Sequence, residues 1–346
     1  MTKIAQRKED HLDLAARGDV SFRHKTTLLS CVDIVHYALP ELHYDAVDLS
    51  VTLLGKKLAA PIVIAAMTGG TPRAGTINRQ LAEIAQARGY GFGLGSQRAM
   101  RADPGKQLSY AVRDAAPSTL VLGNIGGVQA AQYSTAQLAD LCGSVGADAL
   151  CIHLNPAMEL VQAEGDRDFR GVEAVLQRLV EELPYPVVAK ETGCGISGSV
   201  ADRLHAIGIR HLDVSGAGGT SWVGVEAERA RAGDKALGEA FRDWGIPTAA
   251  SLLQVRPERF ESVIATGGVG DGLEAAKAIA LGASAVGIAR PVLQALDQGG
   301  PEQALQYLEL VERQLRVACL LVGAGSVQDL KRAARIVSPP LSQWAP

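Results

Sequence analysis

The sequence predicts an α/β fold, a (β/α)8 TIM barrel with an N-terminal extension and a C-terminal helix. Eight short apolar runs, each followed by a glycine or a polar residue, alternate with amphipathic stretches along the 346-residue chain. Eight is the number of strands that closes such a barrel, whereas an open doubly wound sheet usually has fewer. The runs are continuously apolar, as expected for parallel strands that are covered on both faces.

The order of these runs divides the chain into three parts. They are an N-terminal extension (1–60), the barrel (61–325) and a C-terminal tail (326–346). We expect the extension to form a substrate lid, a cap or a subunit contact, and the tail, with Pro339 and Pro340, to be loose. The predicted strands span 61–66, 91–95, 119–124, 147–153, 186–190, 209–215, 262–265 and 284–289. The predicted helices span 77–88, 135–145, 172–182, 199–207, 235–243, 246–255, 272–281 and 301–323.

Composition excludes several classes of protein. The 34 Lys and Arg residues against 37 Asp and Glu residues give a net charge of −3, which argues against nucleic-acid binding and against a polybasic membrane anchor. No apolar run reaches the ~18 residues of a membrane helix, and the polar start is not a signal peptide, so we expect a cytoplasmic protein. The five cysteines are an odd number without a C-x-x-C pair, which argues against a disulfide framework and a structural zinc site.

Polar, glycine-rich stretches follow all eight predicted strands. In an α/β barrel the active site lies where the strands end and the next loops begin. A single stretch of this kind is usually an ordinary turn, but eight of them on one rim indicate a binding site. The stretches are 67–70, 95–98, 123–126, 153–155, 190–193, 215–220, 267–270 and 289–290.

The turn at 267–272 joins the seventh strand to a helix and is rich in glycine. Glycines let the backbone approach an anion closely, and the N–H groups at a helix start favour negative charge. Phosphate sites after strands seven and eight recur in such barrels. The sequence therefore favours a phosphate-bearing cofactor here, and the alternative is a tight turn without a ligand.

Lys190 ends an apolar strand, so its ammonium is expected to point into the mouth of the barrel. A buried cation must be paired or must hold a negative ligand. Three roles compete: a Schiff-base nucleophile, a phosphate clamp, or a stabiliser of an anionic cofactor ring. The alternative without a ligand is an ion pair with a carboxylate such as Glu191.

Two further segments carry candidate ligands. Arg7, Lys8 and His11 lie within one turn of a predicted helix and either converge on a substrate phosphate or form a solvated charged face. The segment 153–169 is rich in carboxylates, which beside a diphosphate are the usual setting for Mg²⁺. Cys194 has no His or Asp beside it in sequence, which argues against a nucleophile.

Seven stretches together resemble the type 2 isopentenyl diphosphate isomerases. The resemblance runs in order from about residue 7 to residue 325, and the N-terminal Arg-Lys pair with the Ser-Gln-Arg turn is specific to that family. The turn at 267–270 is shared with many FMN barrels. The stretches are 7–11 (RKEDH), 67–70 (MTGG), 95–98 (GSQR), 153–155 (HLN), 164–169 (EGDRDF), 190–191 (KE) and 215–220 (SGAGGT).

The resemblance implies an FMN-containing barrel that interconverts isopentenyl and dimethylallyl diphosphate. It implies reduced FMN, NADPH as reductant, Mg²⁺ and a homotetramer or octamer. By resemblance, the FMN ring would lie on Met67, Thr68, Gly69, Ser96, Asn124, Lys190, Ser215 and Thr220, and its phosphate on Gly268, Val269, Gly270, Ala289 and Arg290. The diphosphate would lie on Arg7, Lys8, His11, Ser96, Gln97 and Arg98, with Lys190, His153 and Asn155 as catalytic residues, Met158 beside the substrate and Glu159 on Mg²⁺.

Two positions depart from the family pattern. Met158 occupies the place of a Gln that is often given a proton-transfer role, and a thioether cannot donate a proton. Either the flavin handles both proton transfers or Gln162 substitutes. Gly270 stands where the phosphate turn usually carries Arg, and Arg290 is the candidate to compensate.

Two other functions stay open at this point. One is an FMN-dependent oxidoreductase of the TIM-barrel class, although the late strands lack the His of hydroxy-acid oxidases and 215–220 lacks the Cys of nucleotide dehydrogenases. The other is a flavin-binding protein without catalysis, which only Met158 supports.

Overall fold

Eight short parallel strands form a closed barrel in the computed structural model, which describes residues 3–230 and 232–345. The barrel runs in chain order from β4 to β11, and β11 pairs with β4 to close the ring. The predicted barrel is confirmed, and each of its strands falls on one of the eight predicted runs. The strands are β1 (Val32–Ile34), β2 (Val51–Leu53), β3 (Lys56–Leu58), β4 (Ile62–Ile64), β5 (Gly91–Gly93), β6 (Val121–Gly126), β7 (Ala149–Leu154), β8 (Val187–Glu191), β9 (His211–Asp213), β10 (Ser262–Thr266), β11 (Ala285–Ile288) and β12 (Arg335–Val337).

Several helices between the barrel strands begin at a polar side chain that caps them. Thr71 accepts from the N–H of Ala74, Ser134 forms a capping box with Gln137, and Asp271 accepts from the N–H of Glu274. The helices are α1 (Lys3–Arg17), α2 (Pro72–Arg88), α3 (Arg98–Ala102), α4 (Gly127–Ala130), α5 (Thr135–Gly143), α6 (Pro156–Val161), α7 (Val172–Glu182), α8 (Gly198–Ala206), α9 (Trp222–Arg229), α10 (Ala232–Phe241), α11 (Thr248–Val255), α12 (Gly272–Ala280), α13 (Arg290–Leu321) and α14 (Val327–Arg332).

The helix predicted at 301–323 is the second half of α13. Its first half starts at Arg290, directly after the last barrel strand, and the prediction missed it. Gly299 and Gly300 depart from helical geometry and break α13 just before Pro301. The helical pattern in the sequence therefore starts at Pro301, since proline is favoured at the first position of a helix.

A hairpin formed by β2 and β3 closes the amino-terminal end of the barrel, and the prediction placed no strand in this part of the extension. Leu53 and Leu58 of the hairpin are almost fully buried against the inward-facing side chains at the starts of the barrel strands. Lys56 contacts Asp148, just before β7, at 3.1 Å. The barrel interior is therefore filled by apolar side chains at this end, which we call the apolar plug, and the predicted site residues lie at the opposite end.

The C-terminal tail is packed on the molecule, so the expectation of a loose end is wrong. Strand β12 pairs antiparallel with β1, and the Leu341 side chain is fully buried. Backbone hydrogen bonds of the pair and burial of Leu341 hold the tail despite its prolines. Within the described part of the chain, no helix is both long and apolar enough to span a membrane.

We expect Leu53→Ala to lower the free energy of unfolding by about 2–5 kcal/mol, because it opens a cavity in the plug. Urea denaturation of the two proteins would measure the loss. Thr52→Ala is the matched control, since the Thr52 side chain is exposed on the same strand. Equal losses in the two variants would contradict the role of the hairpin as a plug.

Candidate active site

The carboxyl ends of the barrel strands open into a cavity of about 400 Å³, and helix α1 lies across its mouth. Three of the predicted site residues do not line it; all the others do. The chain segments that meet here start with α1 and end with the first turn of α13. The barrel thus brings together residues that are nearly the whole chain apart in sequence.

Gln97, Gly69 and Gly270 are the exceptions, and each shapes the site from outside the cavity. The buried Gln97 amide accepts from the N–H of Asn124 at 2.9 Å and donates to a backbone carbonyl, so it joins the ends of two strands. A side chain at Gly69 would collide with the ring of Tyr110. The N–H of Gly270 donates to a side chain of α12 instead of facing the cavity.

The ammonium of Lys190 lies in the cavity floor and is paired with Asp213, not with Glu191 as one alternative held. The Nζ–Oδ2 distance is 2.8 Å, and both side chains are less than 10% exposed. Asp213 also accepts from the Thr266 hydroxyl at 3.0 Å and from the Ser215 N–H at 3.1 Å. The amine is therefore a fixed, charged hydrogen-bond donor, which disfavours a Schiff-base nucleophile.

Glu191 faces the opposite side of β8 and holds the loop that follows it. One carboxylate oxygen accepts from the backbone N–H groups of Thr192, Gly193 and Cys194. Thr192 and Gly193 line the cavity, so this carboxylate fixes part of the cavity wall. Burial, only partly offset by these hydrogen bonds, raises the pKa of Glu191 to about 7.

The glycine turn after β10 forms a cradle of free backbone donors. Gly267 and Gly268 have φ values of 103° and 77°, and a Cβ at Gly219 would lie 2.5 Å from the Gly268 nitrogen. Within residues 3–230 and 232–345, the N–H groups of Gly268 and Val269 have no acceptor. Such a pair of free N–H groups, shortly before a helix, fits a phosphate.

Arg290 lines the cavity, but its guanidinium is committed to the N-terminal segment. It donates to the carbonyls of Ala15 and Gly18 and to the Ser21 hydroxyl at 2.7–3.0 Å. These contacts cap the carboxyl end of α1 and hold the segment after it. Three of its five N–H donors are used in this way, so the expectation that Arg290 compensates for the arginine missing at Gly270 stays a prediction.

Helix α1 places two cations at the cavity mouth. The ammonium of Lys8 donates to the Ser96 carbonyl at 2.9 Å and to the Tyr110 hydroxyl at 2.8 Å, so it is held by neutral acceptors. Burial, followed by repulsion from Arg7, lowers the pKa of Lys8 to about 7. Burial and the nearby Arg98 lower the pKa of Arg7 as well. Buried cations that repel one another across neutral acceptors favour an anionic ligand.

The protein holds one ring nitrogen of His11, so a ligand cannot use both nitrogens. Its Nε2 lies 2.7 Å from the Glu226 carboxylate, which also pairs with Arg229 on α9. The ring stacks edge-on against Trp222. Burial lowers the pKa of His11 although Glu226 opposes the shift. These contacts anchor α1 over the barrel.

His153 is held as a neutral imidazole. Its Nδ1 lies 2.8 Å from the amide oxygen of Asn124, which can only accept, so the proton is on Nδ1 and Nε2 is an acceptor. Burial, together with the positive charge of Lys190, lowers the pKa of His153 to about 3. The imidazole therefore stays uncharged throughout the physiological range.

Glu159 is buried on α6 with both carboxylate oxygens engaged. One accepts from the Asn155 amide and the other from the Asp166 N–H, each at 2.9 Å. In the described residues, no group of three or more His, Cys, Asp or Glu side chains is arranged to hold a metal. This donor set suits Mg²⁺, which keeps several waters and takes ligands from a substrate phosphate, but not an all-protein metal cage.

The sequence prediction missed Asp213, Tyr110 and Glu226. A signal for Asp213 was present, since an acidic residue inside an apolar strand run near Ser215 needs a buried partner. Tyr110 and Glu226 offered no such signal, because their contacts with α1 join segments about 100 and 215 residues apart in sequence.

Glu191 predicts a pH dependence of stability. Its folded pKa lies above the ordinary value of 4.5, so the folded state holds a proton that the unfolded chain releases. The stability that this proton contributes is complete below pH 4.5 and is lost as the pH rises through about 7. Between about pH 4.5 and about pH 8, the native protein should lose roughly 3 kcal/mol of unfolding free energy relative to Glu191→Gln.

Urea denaturation at the two pH values would measure this difference. Glu258→Gln, which changes an exposed carboxylate, controls for the loss of one negative charge. A constant difference between native protein and Glu191→Gln would contradict the assignment.

Comparison with known proteins agrees with this geometry. A family model described as FMN-dependent dehydrogenase matches residues 145–337. The chain is 42% identical over 344 residues to an isopentenyl-diphosphate delta-isomerase of Methanothermobacter thermautotrophicus, covering 99% of this chain and 95% of the relative. It is 44% identical over 334 residues to the protein of the same name from Stutzerimonas stutzeri, covering 95% and 96%.

Solved structures share the fold. A mutant of mandelate oxidase with a monooxide FMN adduct has a TM-score of 0.65 at 19% identity, covering 97% of this chain and 100% of that one. An Arg-to-Lys mutant of flavocytochrome b2 has a TM-score of 0.68 at 17% identity, covering 96% and 83%. At such identities the likeness concerns the fold alone. The near-complete relatives, in contrast, decide the family: this chain belongs to the FMN-dependent isopentenyl-diphosphate delta-isomerases.

Proposed function

We propose that this chain is an isomerase that interconverts isopentenyl diphosphate and dimethylallyl diphosphate, using reduced FMN, in isoprenoid biosynthesis. The relatives that are similar over almost the whole chain support this activity. The observation that carries it is one cavity with two separate anion sites: the cationic mouth of Arg7, Lys8 and Arg98, and the amide cradle of Gly268 and Val269. One site suits a substrate diphosphate and the other a cofactor phosphate.

The cavity fits FMN. The free N–H groups of the glycine cradle and the start of α13 at Ala289 would hold the phosphate. The ring would lie on the strand ends, with Lys190 at its electron-rich edge. When bound and reduced, FMN supplies an electron-rich ring with acid and base positions. Of the ring contacts implied by the resemblance, all but Gly69 line the cavity, and we propose them here: Met67, Thr68, Ser96, Asn124, Lys190, Ser215 and Thr220.

The reaction moves a double bond by one carbon, so one proton is added and another is removed without net redox change. The intervening positive charge must be kept away from water. Leu12 of α1 is buried over the mouth and lines the cavity, and the apolar plug fills the barrel below the cavity floor. These groups exclude water from the small alkene.

The diphosphate would be held at the mouth by Arg7, Lys8 and Arg98. Glu159 would hold Mg²⁺, which would offset the negative charge of the diphosphate. Binding energy from this remote group would position the alkene. Because His153 is neutral with an unprotonated Nε2, we assign it as a hydrogen-bond acceptor and positioning group, with Asn155 beside Glu159. Burial and the charge of Lys190 lower the pKa of His153 to about 3, which disfavours a protonated His153 as the acid.

Met158 lines the cavity where the family usually carries Gln, so this residue cannot exchange a proton. Gln162, one helical turn later, is buried, and its amide nitrogen has no hydrogen-bond acceptor among the residues that the structure describes. We infer that proton transfer does not depend on the side chain at 158. NADPH as reductant, a cytoplasmic location and a homotetramer or octamer complete the proposal.

Under nitrogen, the purified protein with reduced FMN and Mg²⁺ should convert isopentenyl diphosphate to dimethylallyl diphosphate. NADPH should be consumed only to reduce the flavin at the start, because the reaction is redox-neutral. Product chromatography and NADPH absorbance measure the two quantities. NADPH oxidation equal to product formation would instead favour an FMN-dependent oxidoreductase.

Met158→Gln should change kcat by less than about tenfold, whereas a missing general acid or base is worth roughly 10²–10⁴-fold. Met158→Leu is the matched control, since it keeps the apolar volume without new hydrogen bonds. Steady-state kinetics under nitrogen compare the three proteins. Activity that arises only in Met158→Gln would mean that the native chain is a flavin-binding protein without catalysis.

A further inference from the structure

The carboxylate of Asp213 is buried just outside the cavity. All three of its hydrogen-bond partners line the cavity. The side chain is about 7% exposed and does not itself reach the cavity. It accepts from Lys190 on β8, from Thr266 on β10 and from the N–H of Ser215 after β9. One carboxylate therefore joins the floor of the cavity across three adjacent strands.

The two neutral donors fix the carboxylate itself. The Ser215 N–H is 3.1 Å from Oδ1 and the Thr266 hydroxyl is 3.0 Å from Oδ2, so each oxygen has a partner on the rigid end of a strand. Ser215 has a φ of 36°, an uncommon conformation that this short hydrogen-bonded turn holds. Lys190 then meets an acceptor that cannot rotate away.

Gly287 on β11 makes room for this arrangement. A Cβ at Gly287 would collide with the Thr266 hydroxyl, so any other residue would displace the side chain that braces Asp213. Four consecutive strands, β8 to β11, thus contribute to placing one ammonium.

The ammonium needs this placement because of its chemistry. Lysine carries a compact charge on a flexible four-carbon stem. Rotation about the bonds of that stem displaces the charge by several bond lengths. A buried ion pair offsets its cost of desolvation only when its geometry is good and further hydrogen bonds satisfy its remaining polar atoms, as the Thr266 and Ser215 donors do here.

We propose that Asp213 is a positioning residue of the flavin site, acting through Lys190 to hold its ammonium against the electron-rich edge of the bound ring. This inference rests on the proposed function, because it takes FMN as the ligand of the cavity. Asp213 touches neither cofactor nor substrate, and its contribution is the location of the Lys190 charge.

A double-mutant cycle tests the inference. FMN dissociation constants are measured by fluorescence quenching for the native protein, Asp213→Asn, Lys190→Met and the double variant. Asp213→Asn should weaken FMN binding about tenfold when Lys190 is present, the size of coupling found between contacting residues, and less than about threefold in the Lys190→Met background.

The midpoint potential of bound FMN separates positioning from a direct charge effect. A cation at the ring stabilises added negative charge, so Lys190→Met should lower the potential. If Asp213 acts by placing Lys190, Asp213→Asn should lower it too. If Asp213 acted only by its own negative charge, the same variant would raise the potential, and that result would overturn the inference.

Asp148→Asn is the matched control. Asp148 also accepts from a cation, Arg113 at 2.7 Å, and from a backbone N–H, but at the amino-terminal end of the barrel. The Asp148→Asn substitution should lower the free energy of unfolding without changing the FMN dissociation constant or the midpoint potential. If Asp213→Asn does not fold, Thr266→Val takes its place, since it removes one hydrogen bond to the carboxylate. Thr266→Val should weaken FMN binding two- to fivefold when Lys190 is present and leave binding unchanged in Lys190→Met.

Two failures are distinguishable. Native protein that binds no FMN would overturn the proposed function and this inference with it. Native protein that binds FMN while Asp213→Asn or Thr266→Val weakens binding equally in both backgrounds would overturn the inference alone.

Discussion

The parallel pairing of eight strands into one closed ring is the constraint on which the rest of the structure depends. Because all eight strands run in one direction, their carboxyl ends meet at the same rim. Met67 and Arg290 therefore line one cavity although more than 200 residues separate them. The opposite end is closed by the β2–β3 hairpin, whose leucines pack against apolar side chains inside the barrel.

The charges of the cavity are arranged in two ways. In the floor, the Lys190 ammonium is balanced by Asp213, and the pair is braced by neutral donors. At the mouth, Lys8 donates to neutral oxygen atoms, and Arg7 adds a second positive charge beside it. A balanced cation is a fixed orienting group, whereas cations that repel one another gain most from an anionic ligand. The two arrangements agree with a cofactor below and a diphosphate above.

The same fold supports oxidases, which the solved structures at 16–19% identity illustrate. Fold alone therefore does not choose between hydride and proton chemistry. Helix α1 covers the barrel, anchored by His11 on Glu226 and capped by Arg290, and brings cations over the rim. Helix α1 thus adds Arg7 and Lys8 to the cationic side chains, such as Arg98 and Lys190, that lie at the ends of the barrel strands.

The sequence by itself determined the barrel, its eight strands and most of the residues that line its cavity, because continuous apolar runs and the glycine or polar residues that end them are local signals. Only the tertiary structure decided the partners of those residues. Lys190 pairs with Asp213 and not with its neighbour Glu191, since side chains of successive residues point to opposite faces of a strand, whereas residues in register on adjacent strands meet. Arg290 caps α1, because the N-terminal helix folds back onto it across about 270 residues. Contacts between distant segments leave no local pattern, and the charge distribution of this site consists mainly of such contacts.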